Sequence, residues 1–219
     1  MLRIIYKGED VEKVKKDVQK AFDFVAKVFS VKISNIMVYV HNTRDSYNKR
    51  LGKETEDWNI ANADDNKRID ILSPRAFTKE SCHSKNDFLP TLVHEFSHLF
   101  ISNLAKGSAI PLWLNEGFAN YIAGQNKKIN ESLYVENNFC EKLGTLRGWD
   151  KHINYSAYSI SALFVRFLIK KYSAQKIKEL ISSLDKVYNY SRFEKIFYKV
   201  YKKDLTEMER LFIENLNKK

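Results

Sequence analysis

The chemistry that this chain can perform is concentrated in one run of five residues, His94-Glu95-Phe96-Ser97-His98. Residues four apart lie on one face of an α-helix, so two imidazoles at this spacing can bind the same metal ion. The glutamate after the first histidine can then act as a base toward a water molecule at that ion. The run therefore predicts a hydrolytic metal site. The alternative is a helix that carries two histidines with no joint role.

A third ligand is expected downstream, because catalytic zinc usually takes three protein ligands and keeps a fourth position open. Seventeen residues separate His98 from Glu116, which lies early in a second predicted helix. A turn over residues 106–111 would let this helix fold back and aim the Glu116 carboxylate at the metal. Glu116 could instead stabilise a helix N-terminus through the helix dipole. Asn120, one turn later, either holds a metal-binding histidine in its tautomer, caps the helix or faces solvent.

The elements that must position these residues follow from the spacing of apolar side chains. From Asp87 onward the period is helical, and the metal motif lies inside a helix that ends near Gly107. A second helix is predicted over 112–124, with Pro111 at its start, where a missing N–H is harmless. Further helices are predicted over 9–29, 134–143, 155–172, 174–187, 191–201 and 205–216.

Three short strands are predicted before the metal motif. The β-branched run 36–40 is typical of a strand, and a second short strand is expected near Ile60 in the polar region 44–65. Arg68–Leu72 alternates and then meets Ser73-Pro74, which predicts a strand closed by a turn at a sheet edge. The chain is thus expected to be a single α+β domain over 1–219. Its α/β lobe of 1–86 would hold a small mixed sheet and the N-terminal helix, followed by a mostly helical lobe of 87–219.

The run 113–121, WLNEGFANY, after the HExxH helix strongly resembles the gluzincin metallopeptidases. Within them it resembles the aminopeptidase-N-like branch and the compact peptidase-MA-like proteins. The resemblance is close over 92–121. It implies a zincin-like fold with the site where the two lobes meet, one zinc ion held by His94, His98 and Glu116, and Glu95 as general base. The chain has one residue fewer between the second histidine and the glutamate than large aminopeptidases, a change that the loop can absorb.

The same resemblance implies a tyrosine that stabilises the oxyanion of the tetrahedral intermediate. Residues 154–163 resemble that region of the aminopeptidases. Tyr158 is the predicted catalytic tyrosine. A small residue follows it by four positions and Leu168 follows it by ten, and these spacings fit the family pattern better than the spacings measured from Tyr155. Tyr155 and His152 remain alternatives, since thermolysin-like relatives use a histidine in this role.

A segment that aminopeptidases use to bind the substrate's free amine, Gly-x-Met-Glu-Asn, has no match in this chain. Glu54 and Glu56 lie near its expected place but in a different context. The sequence therefore favours an endopeptidase or a peptidase of narrow specificity, acting on a peptide or protein, over a general aminopeptidase. The predicted edge strand Arg68–Leu72 is where an extended substrate would pair by strand addition.

The composition limits the other classes of function. Lys plus Arg is 37 against Asp plus Glu 27, which gives a net charge of +10. The lysines are spread along predicted solvent faces without a zinc-finger or aromatic-basic motif, so a solvated surface is favoured over a nucleic-acid partner. The alternative to a peptidase is a non-catalytic zinc-binding protein on a peptidase fold that binds a protein or anionic partner. Glu95 argues against it, because a structural zinc site needs no base.

Cysteine usage and the N-terminus bear on the compartment. Cys82 and Cys140 stand alone, without metal-ligand spacing, and are expected to be thiols in a reducing compartment. Neither a signal peptide nor an apolar run long enough to cross a bilayer is visible, so a cytoplasmic protein is expected. With 7 Gly and 3 Pro in 219 residues, the composition favours helices over a fold rich in turns.

Overall fold

The computed structural model describes residues 1–64, 67–125, 135, 137–152 and 157–217, with the side chain of His152 left out. The chain divides into two compact units, Met1–Phe100 and Ile101–Lys219. The elements of the first unit are β1 (Leu2–Ile5), α1 (Val11–Phe29), β2 (Ile36–His41), α2 (Arg44–Leu51), β3 (Ala61–Asp64), β4 (Arg68–Leu72), α3 (Pro74–Glu80) and α4 (Phe88–Ala105), which continues past residue 100.

The described elements of the second unit after α4 are all helices. They start with α5, which carries the predicted third ligand. Their bounds are α5 (Leu112–Ala123), α6 (Phe139–Lys142), α7 (Leu146–His152), α8 (Ala157–Lys171), α9 (Ala174–Ser182), α10 (Tyr190–Tyr201) and α11 (Leu205–Leu216).

The first unit is built on a four-stranded mixed sheet with the strand order β1-β2-β4-β3. β1, β2 and β4 run parallel, and β3 is antiparallel to β4. The predicted small mixed sheet is thereby confirmed. The predicted N-terminal helix is present as α1, but it follows β1, a strand that the sequence did not indicate. β1 has four residues, and its hydrogen-bonding partner β2 lies more than thirty positions away.

The prediction that Arg68–Leu72 is an edge strand is wrong. β4 lies between β2 and β3, and within the described sheet the edges are β1 and β3. Its alternating pattern suggested a half-solvated strand, but Asp70 on the polar side is fully buried. Ser73-Pro74 is also not a closing turn. Ser73 is the N-cap of α3, and its hydroxyl accepts a hydrogen bond from the Ala76 N–H at 3.3 Å.

α2 lies in the polar region where only a short strand was predicted. It has no apolar stripe, because its sequence is RDSYNKRL. Its ends are fixed by polar groups: the Thr43 hydroxyl accepts from the Ser46 N–H at 3.2 Å, and Gly52 ends the helix with a φ of 70°. The Arg44 guanidinium donates to the Thr55 hydroxyl and to backbone carbonyls of residues 56, 57, 59 and 80. Capping and one arginine therefore replace hydrophobic burial.

α1 covers the first part of α4 with its apolar face. Val14, Val18 and Val25 on this face are fully or almost fully buried. The Phe22 ring lies 5.7 Å from the ring of Phe96 and 5.9 Å from that of Phe100, measured between centroids. Aromatic contacts at these distances, with the area they bury, hold α4 in one rotation about its axis.

The core of the second unit lies between α5, α6, α8 and α11. The Trp113 ring packs against Phe164 with centroids 5.3 Å apart, and Phe139 lies 5.7 Å from Phe212. The predicted helix 134–143 is helical in α6 only, and its residues 134 and 136 lie outside the described residues. The start of the predicted helix 155–172 also lies outside them. The predicted helix 174–187 is shorter than expected, since α9 ends at Ser182.

The two cysteines differ in exposure. Cys82 is exposed and Cys140 is buried, and both are free thiols. In the described ranges, no helix combines the length and apolar character that crossing a membrane requires.

Candidate metal site

α4 places both histidines of the HExxH motif on one helix face. The Nε2 atoms of His94 and His98 are 2.9 Å apart. Their ring centroids are separated by 4.6 Å, and the ring planes cross at 82°. Both side chains are half-buried. The two nitrogens therefore converge on one point, as the four-residue spacing predicts.

The orientation of the histidines is set by the opposite face of α4. Phe96 and Phe100 are also four apart, and each is offset from a histidine by two residues, which is about 200° around the helix. Both phenylalanines are fully buried and lie against Phe22 of α1. Because this aromatic face is turned into the core, the histidine face is turned away from it.

Glu95 lies between the two faces and is buried, with 8% of its surface exposed. Its charge acts on Tyr47 of α2. Burial raises the pKa of the Tyr47 phenol above its usual value of 10.0, and the charges of Glu95 and Asp70 raise it further. Tyr47 is thus a neutral hydrogen-bond donor, and its hydroxyl donates to Asn59 Oδ1 at 2.7 Å. The sequence does not show that Tyr47 interacts with Glu95, because no spacing rule links residues on separate elements.

Glu116 is carried by α5, whose first turn is held by backbone groups near α6. The N–H of Leu112 donates to the Gly144 carbonyl at 3.3 Å, and that of Trp113 donates to the Leu143 carbonyl at 3.1 Å. These bonds satisfy two of the donors that a helix N-terminus leaves unpaired. Glu116 itself is half-buried. Its helix is therefore fixed at the start as well as through the buried Trp113 ring.

His94, His98 and Glu116 form a group of potential metal ligands. Each offers one ligand atom, and these atoms all lie within 4.8 Å of one another. Zinc bonds of about 2.1 Å in tetrahedral geometry separate two ligands by about 3.4 Å. Two imidazoles and one carboxylate are also a donor set that zinc accepts. The group could therefore bind a metal ion, and among the described residues it is the one group of three or more such side chains.

Tyr158, the predicted catalytic tyrosine, lies in the first turn of α8. It is half-buried, and its ring meets that of Trp149 edge-to-face with centroids 4.9 Å apart. Three residues later, the backbone of Ser161 lies directly against Gly117 of α5. Tyr155 and the side chain of His152 lie outside the described residues. The choice among the three as oxyanion donor stays a prediction.

Asn120 is buried on α5, one turn after Glu116. Its side-chain amide donates to the Glu116 backbone carbonyl at 2.8 Å. This bond runs within the helix and supports the turn that carries Glu116. A role of Asn120 in orienting a histidine stays a prediction.

A family model described as Peptidase MA superfamily matches residues 89–217, which is more than half of the chain. The chain belongs to the peptidase MA superfamily. The match supports the predicted family at this level but does not extend to the aminopeptidase-N-like branch. No curated protein and no solved structure matches the chain significantly.

Membership of the peptidase MA superfamily gives the candidate site a functional context. It suggests protease activity at a coarse level, with peptides or proteins as substrates, and the superfamily is usually metal-dependent. The matched residues begin in the first turn of α4 and include both histidines, Glu95 and Glu116. The candidate metal group therefore lies inside the part of the chain that carries the family signal.

Proposed function

We propose that this peptidase MA protein is a zinc-dependent metallopeptidase of the gluzincin type. The observation that carries the proposal is the convergence of ligand atoms from His94, His98 and Glu116, with the buried Glu95 in the same helix turn. Three protein ligands are typical of a catalytic zinc site, whereas a structural zinc site usually has four. Zinc is favoured over magnesium or calcium because two of the three ligands are imidazoles.

In this proposal each residue has a separate chemical role. A zinc ion bound by the two histidines and Glu116 would supply a Lewis acid that polarises the scissile carbonyl and acidifies the attacking water. Glu95 takes the proton of the attacking water and delivers it to the leaving amine. Tyr158 donates a hydrogen bond to the oxygen on which negative charge develops, a contact whose removal commonly lowers turnover about a hundredfold or more.

The substrate is proposed to be an internal segment of a peptide or protein. The chain has no Gly-x-Met-Glu-Asn segment to bind a free amino terminus, which favours an endopeptidase or a peptidase of narrow specificity. Strand addition to β4 is excluded, since both of its sides are already paired. β1 and β3 are the edges of the described sheet, and an extended peptide can join an edge strand by main-chain hydrogen bonds.

The proposal is tested by measuring zinc content and proteolysis on the same preparations. Wild type should contain about one zinc per chain, and His94→Ala and Glu116→Ala should lose it. Glu95→Gln should retain zinc but lose chelator-sensitive cleavage of a denatured protein mixture, with activity lower by about 10²–10⁴-fold. Glu207→Gln is the matched control and should behave like wild type, because Glu207 is a half-exposed glutamate on α11 that pairs with Lys203.

Two results would contradict this proposal. Purification without chelators that yields a folded protein lacking zinc would exclude the metal site. If zinc is present but wild type and Glu95→Gln are equally inactive on a broad peptide pool, the chain is the alternative, a non-catalytic zinc-binding protein on a peptidase fold.

A further inference from the structure

A second group of reactive side chains lies in the first unit, outside the metal group. The Ser46 Oγ is 3.0 Å from His41 Nδ1, and His41 Nε2 is 2.9 Å from Asp70 Oδ1. A serine, a histidine and an aspartate are thus connected in series by the two nitrogens of one imidazole. This is the connectivity by which a base activates a serine nucleophile.

The sheet and α2 bring the three residues together. His41 ends β2, and Asp70 is paired in register with Tyr39, two residues before His41, so both side chains lie on one face of the sheet. α2 follows β2 directly and places Ser46 in its first turn. The group runs from interior to surface: Asp70 is fully buried, His41 is 7% exposed, and Ser46 is exposed.

The charges around Asp70 fix the tautomer of His41. Arg50 Nε lies 3.5 Å from one carboxylate oxygen, and Arg68 Nε lies 2.8 Å from the other. A carboxylate between two guanidinium groups accepts hydrogen bonds and does not donate them, so the His41 proton is on Nε2. The lone pair of Nδ1 then faces the Ser46 hydroxyl.

The surroundings of Asp70 also leave room for a positive charge on His41 during a reaction. Arg68 is paired with Asp64 as well, at 2.9 Å, so the two arginines are balanced by two aspartates. A proton taken up by His41 is therefore not opposed by a net positive charge within this group. The His41 ring is further held edge-to-face against Tyr47, with centroids 5.7 Å apart. The base is thus fixed in place, while the nucleophile is accessible.

We propose that Ser46 is a nucleophile activated by His41, with Asp70 as the positioning residue, and that the site takes small esters. Arg50 lies one turn after Ser46 on the same face of α2 and is held 3.6 Å above the Tyr39 ring centroid. A guanidinium has five N–H donors, and those that Arg50 does not direct at Asp70 can bind an anionic group of the ester, so esters that carry such a group are favoured. This activity is separate from the proposed metallopeptidase function and uses none of its residues.

The reaction balances without a co-reactant other than water. Ser46 Oγ bonds to the ester carbonyl carbon while its proton moves to His41 Nδ1. The bond to the leaving oxygen breaks, and His41 returns the proton to give the free alcohol. Water then attacks the acyl-serine and transfers a proton through His41 to Ser46 Oγ. This step releases a carboxylic acid and restores the serine.

The test is covalent labelling of the full chain with an alkyl fluorophosphonate, which bonds to activated serines and releases fluoride. Intact mass and peptide mapping should show one adduct on Ser46, absent in Ser46→Ala. His41→Gln should slow labelling about a hundredfold or more. Ser191→Ala is the matched control, an exposed serine in the first turn of α10, and should label like wild type. Added chelator should change nothing, which separates this site from the metal site.

Two further measurements keep the test decisive if His41→Gln does not fold. Labelling of wild type should disappear in urea, because activation depends on the folded contact with His41. The anionic ester p-nitrophenyl hydrogen succinate should acylate Ser46 faster than p-nitrophenyl acetate, and Arg50→Gln should remove the difference. The proposal is overturned if native wild type is not labelled at Ser46, if labelling is equal in urea, or if folded His41→Gln labels at the wild-type rate.

Discussion

Replacing Gly117 by alanine tests whether the close packing of α5 and α8 positions Glu116. A Cβ at this position would lie 2.7 Å from Val165 Cγ2 and 2.8 Å from the Ser161 carbonyl carbon, and it would also contact the Ser161 carbonyl oxygen. Ordinary contact starts at 3.4 Å, and two of the three atoms are backbone. The two helices must therefore separate by a large part of an ångström.

The expected loss of stability follows from two opposing effects. Alanine stabilises a helix interior by about 1 kcal/mol relative to glycine. Overpacking costs about 1–3 kcal/mol, and a clash with backbone belongs at or above the upper end. We expect a net loss of about 2 kcal/mol, which lowers the melting temperature by about 4–8 °C in a chain of this size. Displacing the neighbouring Glu116 should also lower kcat/KM by up to about a hundredfold.

The assays are thermal unfolding, zinc content and peptide cleavage, with Gly124→Ala as the matched control. Gly124 ends the same helix at a φ of 65°, and a Cβ there meets no atom within 4 Å. That variant should lose about 1 kcal/mol through backbone strain alone and keep its zinc and activity. If Gly117→Ala has the same melting temperature as wild type, α5 and α8 are not packed too closely to admit a Cβ. If it is destabilised but fully active, the link from this packing to Glu116 is wrong.

Three further predictions concern stability in parts of the chain away from the metal group. Arg44→Lys should lower the free energy of unfolding in urea by about 3 kcal/mol, because one ammonium group cannot make all the hydrogen bonds of the guanidinium. Arg3→Lys, at an exposed position, should leave it unchanged. Ser73→Ala should cost about 1 kcal/mol through loss of the α3 cap, whereas the exposed Thr78→Ala should not, and equal melting curves would refute the cap. Burial raises the pKa of Glu209, so wild type loses stability as pH rises above the ordinary value of 4.5. Glu209→Gln should therefore exceed wild type at neutral pH but not at about pH 4, and parallel pH profiles would contradict this.

The helices were predicted well where an apolar stripe coincides with a terminal signal. α11 runs over Leu205–Leu216 as predicted, and α5 begins after Pro111 and is ended by Gly124. In these segments the spacing of buried side chains and the capping residues point to the same bounds, so local sequence is sufficient. α9 was predicted too long because Leu184, though buried, lies beyond the last helical turn.

The errors lie where polar groups replace apolar burial. α2 has no apolar stripe from which a helix could be predicted. Its position depends on contacts of Arg44 with residues 11 to 36 positions away. The alternation of Arg68–Leu72 and the Ser73-Pro74 that follows predict an edge position for β4, which is wrong. In the fold Asp70 lies on an inner strand, where His41, Arg50 and Arg68 surround its carboxylate. The spacing of residues in a single sequence does not show that a buried carboxylate is balanced by cations from other elements.

The candidate sites differ in the same way. His94 and His98 could be predicted because both lie on one helix, where four-residue spacing fixes their geometry. Asp70 lies 29 residues from His41 and contacts it only through the pairing of β2 with β4. Ser46 is five residues from His41, but it lies on α2, whose helix the sequence did not predict. A site whose residues lie on one helix can be predicted from the sequence, whereas a site that is assembled by strand pairing requires knowledge of the fold.

The position of each predicted metal ligand is determined by residues that do not bind metal. The histidine face of α4 is oriented by Phe96 and Phe100, which pack against α1. The turn that carries Glu116 packs closely on α8 because Gly117 has no side chain. A tetrahedral site tolerates little displacement of its ligands, so changes in these buried contacts alter metal affinity without touching a ligand. Phe96→Ala should therefore weaken zinc binding as well as fold stability, whereas Phe24→Ala, on the exposed side of α1, should affect neither. A Phe96→Ala protein that is destabilised by about 3–5 kcal/mol yet binds zinc as tightly as wild type would show that α4 holds its rotation without the aromatic face.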